Sequence, residues 1–83
     1  MNYQIIWTRE AQNDLNKLQR EIILRIVAKV EATKDNPIRY LKKLVNKKEW
    51  SLRVGDYRLL ITLDQNNEEL KVLKIGHRKH IYD

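Results

Sequence analysis

The sequence predicts an α+β fold: an antiparallel sheet with a helical hairpin packed on one face, in the order β-α-α-β-β-β. Three observations predict it. Apolar residues recur at helical spacing between residues 11 and 30, three alternating, strand-like runs fill the second half, and the turn-forming residues fall between these segments. With 83 residues the chain has length for one core, so 1–83 is read as a single domain.

Each element has a local reason. Tyr3, Ile5 and Trp7 alternate with Gln4 and Ile6, the pattern of a short strand that joins an edge of the sheet. Thr8 can cap a helix, and Glu10 suits its first turn. Ala11, Leu15 and Leu18 then share one helical face. A second helix, over about 19–34, carries Ile22, Ile23, Ile26, Val27 and Val30 as a broad apolar stripe. Asp35-Asn36-Pro37 ends it, because the residue before proline avoids the helical region. Two helices so closely joined form an αα-hairpin. The connector 38–48 has room for a helical turn anchored by Tyr40, Leu41, Leu44 and Val45. Strands follow at about 49–54, 57–64 and 69–75, with Gly55-Asp56 as a two-residue type II′ turn and a longer polar turn over 64–69.

The tight turn sets a register. Val54 pairs with Tyr57, Arg53 with Arg58, and Leu52 with Leu59. Trp50, Leu52 and Val54 then share the helix-covered face with Tyr57, Leu59, Ile61 and Leu63. Glu49, Ser51 and Arg53 point the other way, with Arg58, Leu60 and Thr62. Directly opposed arginines cost about 0.2–1 kcal/mol. They are tolerated if splayed into water, if a carboxylate lies near, or if a bound phosphate sits between them.

Composition limits the function. Hydrophobic residues are 42% and charged residues 34%, a folded, soluble balance. There is no cysteine, hence no disulfide framework and no thiolate metal site. No run approaches the ~20 apolar residues of a membrane span, and the start lacks a signal-peptide pattern, so the expected location is cytoplasmic, without a membrane partner. The net charge is +6. Residues 1–38 hold six Lys/Arg against five Asp/Glu, whereas residues 39–83 hold eleven against six. The excess therefore lies in the C-terminal half and points to an anionic partner, the plainer alternative being a solubilising surface. Candidate nucleic-acid contacts are Lys42, Lys43, Lys47, Lys48, Arg53, Lys74 and Lys79.

The opening I-I-W-T-R-E-A-Q-N-D-L, the P-I-R-Y-L-K-K-L segment, the W-S-L-R-V-G-D-Y-R hairpin and the I-G-H-R-K-H-I-Y ending together resemble the RelE/ParE toxin superfamily, on its RelE side. The resemblance runs along essentially the whole chain. It implies a toxin of a type II toxin–antitoxin pair that cleaves mRNA in the ribosomal A site, an mRNA interferase that inhibits translation without metal or cofactor. In that chemistry the 2′-hydroxyl attacks the adjacent phosphorus. It needs a base, cations for the extra phosphoryl charge, and an acid for the 5′-oxygen. The resemblance assigns Arg58 and Arg78 to the phosphate and Tyr82 to base stacking or proton transfer. Lysines usual on the first hairpin strand are replaced by Glu49 and Ser51. Glu49 could act as base or merely neutralise arginine. His77 and His80 are further candidates, because imidazole titrates near neutral pH. The implied partners are the ribosome with its mRNA and a RelB-like antitoxin, with a heterotetramer as one assembly of the pair. The alternatives are a ParE-like inhibitor of DNA gyrase without nuclease activity, and a weakened toxin that mainly binds its antitoxin.

Overall fold

Thr8 is the residue at which the first strand becomes the first helix. Its Oγ1 accepts a bond from the Ala11 N–H at 3.2 Å, which caps the helix start. The same hydroxyl lies 3.0 Å from the carbonyl of Val72 and 2.9 Å from that of Leu73, to which it donates. One short side chain thus joins a helix end to a strand 64 residues away in sequence.

A computed structural model describes residues 2–77. The elements are β1 (Gln4–Trp7), α1 (Arg9–Asn16), α2 (Arg20–Thr33), α3 (Pro37–Tyr40), β2 (Lys42–Lys43), β3 (Trp50–Val54), β4 (Tyr57–Asp64) and β5 (Glu69–His77). α2 has no side-chain cap at Gln19, so its buried residues Ile26, Val30 and Thr33 hold it in place. Pro37 occupies the first turn of α3, where the missing N–H costs nothing. The connector therefore contains the expected helical turn, though of its expected anchors Leu41 is buried while Tyr40 and Val45 are exposed, and it adds the two-residue strand β2, which is too short to leave a periodic signal.

The α+β class and the helix-covered face agree with the sequence pattern. The sheet, however, is mixed rather than wholly antiparallel. Its order is β1-β5-β4-β3-β2, and β1 runs parallel to β5, with Ile5 beside Leu70 and Trp7 beside Val72. Alternation within β1 marks a strand but carries no direction. A parallel pair needs a long crossover, and here the intervening elements supply it. Turn chemistry was more informative. Gly55 has φ +60°, Asp56 has negative φ, and the hairpin pairs Val54 with Tyr57, Arg53 with Arg58 and Leu52 with Leu59, as the II′ turn requires.

One feature of β5 left no sequence signal. Leu60 pairs with Lys74 but Ile61 pairs with Val72, so Leu73 is an extra residue, a β-bulge. The bulge shifts the phase of the strand. Leu70 and Val72 before it, and Ile75 after it, all reach the core, despite the odd spacing between Val72 and Ile75. The core joins them to Ala11, Leu15, Ile26 and Val30 from the helices and to Leu52, Val54, Leu59 and Ile61 from the hairpin. No helix among the described residues is long and apolar enough to cross a membrane.

Beyond Trp7, β1 no longer covers the edge of β5. α1 takes over: Asp14 Oδ2 accepts the Ile75 N–H at 2.8 Å. Replacing Asp14 with alanine strands that partly buried donor. Asp14→Ala is expected to cost about 1–3 kcal/mol in urea unfolding and to speed hydrogen exchange at the Ile75 amide.

The β4–β5 turn is held by Asp64, which accepts the backbone N–H of Asn67 at 3.1 Å and its side-chain amide at 2.8 Å. These bonds, the backbone one foremost, lower the Asp64 pKa below its ordinary 3.8. A lowered folded-state pKa contributes stability that is present above the unfolded value and lost as pH falls through the folded one. An NMR titration should therefore place the Asp64 midpoint below 3.8, and Asn67→Ala should move it upward.

Candidate functional site

The hairpin register stands Arg53 and Arg58 side by side on the face away from the helices. By the alternation from the tight turn, theirs is a non-hydrogen-bonded pair, with Cα atoms about 4.5 Å apart. On its other side Arg58 is paired with Gly76, which has no side chain to fill the space. Arg53 is exposed, and its Nε donates to the Gly55 carbonyl at 3.3 Å. Arg58 is half-buried, and its Nη1 is buried without a hydrogen-bond partner among the described residues.

The second wall comes from the connector. Alternation along 40–44 turns Tyr40, Lys42 and Leu44 towards Arg58, while Leu41 enters the core and Lys43 lies over the Trp50 ring at 5.9 Å. Lys42 is the register partner of Ser51, which is only 8% exposed. Together Tyr40, Lys42, Leu44, Ser51, Arg53 and Arg58 line a groove of about 400 Å³. Three cations converge there with an aromatic ring at the rim, Tyr40 being 48% exposed. Such a groove suits a phosphodiester with an adjacent base: guanidinium forks match phosphate oxygens, and aromatic faces stack on bases.

The structure sorts the candidate residues. Arg53, Arg58 and Lys42 are brought together. Lys43 is not, since its ammonium donates to the Lys47 carbonyl and lies against Trp50. Lys47 and Lys48 are exposed in the 44–49 loop, which the Leu44 N–H closes by donating to the Glu49 carbonyl at 3.1 Å. Glu49 shares the outward face but lies four residues before Arg53 along β3, roughly 13 Å away at a strand's rise. Lys74 is half-buried beside Leu60, one row from Arg58. His77 packs edge-on against Tyr57, with ring centroids 6.1 Å apart. Arg78, Lys79, His80 and Tyr82 lie outside the described residues. Tyr40 and Leu44 also line the groove, although the sequence pattern does not mark them for it. Their i, i+2 spacing with Lys42 was the available signal, but it reads as strand only once β2 is known.

A second concavity, of about 420 Å³, lies between α2 and the hairpin turn, with Arg25, Lys29 and Arg53 over Ala28 and Ala32. Its cations are exposed, whereas the first groove holds a buried guanidinium nitrogen. Burial in a low-dielectric wall makes a cation more effective towards an anion, so the first groove is the stronger candidate.

The sequence and the fold have known counterparts. The sequence model of the family described as "ParE toxin of type II toxin-antitoxin system, parDE" matches residues 5–82. The chain belongs to this family, and so is a toxin of a type II toxin–antitoxin system within the RelE/ParE superfamily. Among curated proteins it is 33% identical to Toxin RelG of Mycobacterium tuberculosis over 99% of this chain and 98% of that one. Among solved structures it resembles the toxin–antitoxin complex RelBE2 of the same organism, with a TM-score of 0.86 and 30% identity over 94% of this chain and all of that one. It also shares its fold with the archaeal RelE–RelB complex of Pyrococcus horikoshii, at a TM-score of 0.82 and 20% identity over 96% and 99% of the two chains.

A cation poised for an anion is a stability cost in the free protein. Arg58→Met keeps the stem volume and removes both the unpartnered nitrogen and the repulsion from Arg53. It is expected to raise the urea midpoint by the equivalent of about 1 kcal/mol, and loss of stability instead would count against a strained Arg58.

Proposed function

We propose that this toxin acts as a metal-independent, ribosome-dependent endoribonuclease that cuts mRNA in the A site and so stops translation. The observation that carries the reading is the buried, unpartnered Nη1 of Arg58 in a groove that also holds Arg53 and Lys42. A phosphodiester seated there meets two guanidinium groups, which bind its charge more strongly as phosphorus becomes five-coordinate. The 2′-oxygen forms the new bond to phosphorus, the bond to the 5′-oxygen breaks, and a 2′,3′-cyclic phosphate results. Arg78 is assigned to the same phosphate and Tyr82 to the adjacent base or the departing oxygen, by resemblance. Glu49 lies too far along β3 to serve the phosphate held by Arg58, unless the message backbone runs along that strand. His80 remains a candidate for proton transfer.

The partner proposed for control is a RelB-like antitoxin. The solved relatives include the RelBE2 and Pyrococcus horikoshii RelE–RelB complexes. A chain with net charge +6 and a cationic groove is readily masked by an acidic segment that folds on binding. A cytoplasmic location follows from a ribosomal target.

Purified protein added to ribosomes translating a defined message should yield cleavage at the A-site codon. Arg58→Ala should slow it by about 10²–10³-fold, and the Arg58→Ala, Arg78→Ala double variant should be inactive. A parallel supercoiling assay with DNA gyrase should show no inhibition. No cleavage by the wild type, or gyrase inhibition, would overturn the proposal.

A further inference from the structure

Resting on that reading, we infer that Lys42, reaching over from the neighbouring edge strand, supplies the scissile phosphate with the lysine charge that β3 itself lacks. The superfamily resemblance leads one to expect lysines at the positions of Glu49 and Ser51. Sequence distance hides the replacement, because Lys42 is nine residues before Ser51. The sheet removes that distance: Lys42 and Ser51 are direct partners across the β2–β3 ladder.

Directly opposed residues on one sheet face have Cβ atoms about 4.5–5.5 Å apart, within the span of a lysine stem. Ser51 is small and buried, so it leaves the space beside it to the longer side chain. Both residues line the groove that holds Arg58. The adjacent Lys43 cannot share the task, since it faces Trp50 on the opposite side. The Lys42 ammonium has neither an ion-pair nor a hydrogen-bond partner among the described residues to hold it away. Its role is that of a cation on a non-bridging phosphoryl oxygen. Charge at that place, rather than the strand that delivers it, is what the reaction requires.

Three variants in the ribosome assay test this, each checked for folding by circular dichroism. Lys42→Ala should lower the single-turnover rate at saturating ribosomes by about 10²–10³-fold. Lys42→Arg should keep most of the rate. The Lys42→Ala, Ser51→Lys double variant, which moves the ammonium across the ladder, should recover at least about tenfold over Lys42→Ala. A second measurement needs no turnover. NMR signals of the lysine Cε–H groups, followed while a 2′-O-methyl trinucleotide is added, should move for Lys42 and stay for Lys43. If the wild type cuts and Lys42→Ala cuts equally fast, the assignment of Lys42 falls while the nuclease reading stands. If Lys42→Arg is as slow as Lys42→Ala, the charge role is overturned. If the wild type does not cut, both readings fall together.

Discussion

The register of the β3–β4 hairpin governs everything else in this small protein. Gly55 takes φ +60° at no steric cost, which closes a two-residue turn and locks Leu52 opposite Leu59 and Arg53 opposite Arg58. A slip of β3 by one residue would turn Arg53 towards the helices, opposite Leu59, and put Leu52 out to solvent on the face of Arg58. The hydrophobic driving force on one face therefore fixes the position of the charges on the other. Burying the leucines is what holds two like charges together.

That coupling explains how the outward face bears its cost. Opposed arginines repel, and a buried guanidinium nitrogen without a partner loses hydration that nothing in the described protein returns. Neither feature helps folding. Both are useful towards an anion, because a site that is already dehydrated and already positive gains when a phosphate arrives. The core residues Leu52, Leu59 and Ile61, each almost wholly buried, offset the strain from the other side of the same two strands.

β5 links the amino-terminal half to this site. Thr8 and Asp14 each bond its backbone, and the bulge at Leu73 lets Ile75 reach the core while Gly76 falls beside Arg58. Without the bulge, the alternation set by Leu70 and Val72 would bring a side chain of the opposite face next to Arg58. Helix α1 thus contributes to the groove although none of its residues lines it: it holds the strand that leaves one flank of Arg58 open. The family match extends over residues 5–82 rather than over an isolated motif.

The class of fold, both main helices, the three long strands, the hairpin register and the outward-facing placement of Arg53 and Arg58 were legible in the sequence. Those features depend on local rules: a period of 3.6 or 2, a proline that stops a helix, a glycine that turns a chain. The parallel docking of β1 on β5, the bulge at Leu73, the two-residue β2 and the meeting of Lys42 with Ser51 were decided only in the tertiary structure. None of them has a period long enough to read, and each depends on residues far apart in the chain. Even the charge pattern divided along this line. The basic excess of the second half was plain in the composition, but it took the β2–β3 ladder to separate Lys42, beside Arg58, from Lys43, on the far side against Trp50. Adjacent residues in an extended chain face opposite ways, so which of two neighbouring lysines reaches a site depends on where the strand lies in the sheet.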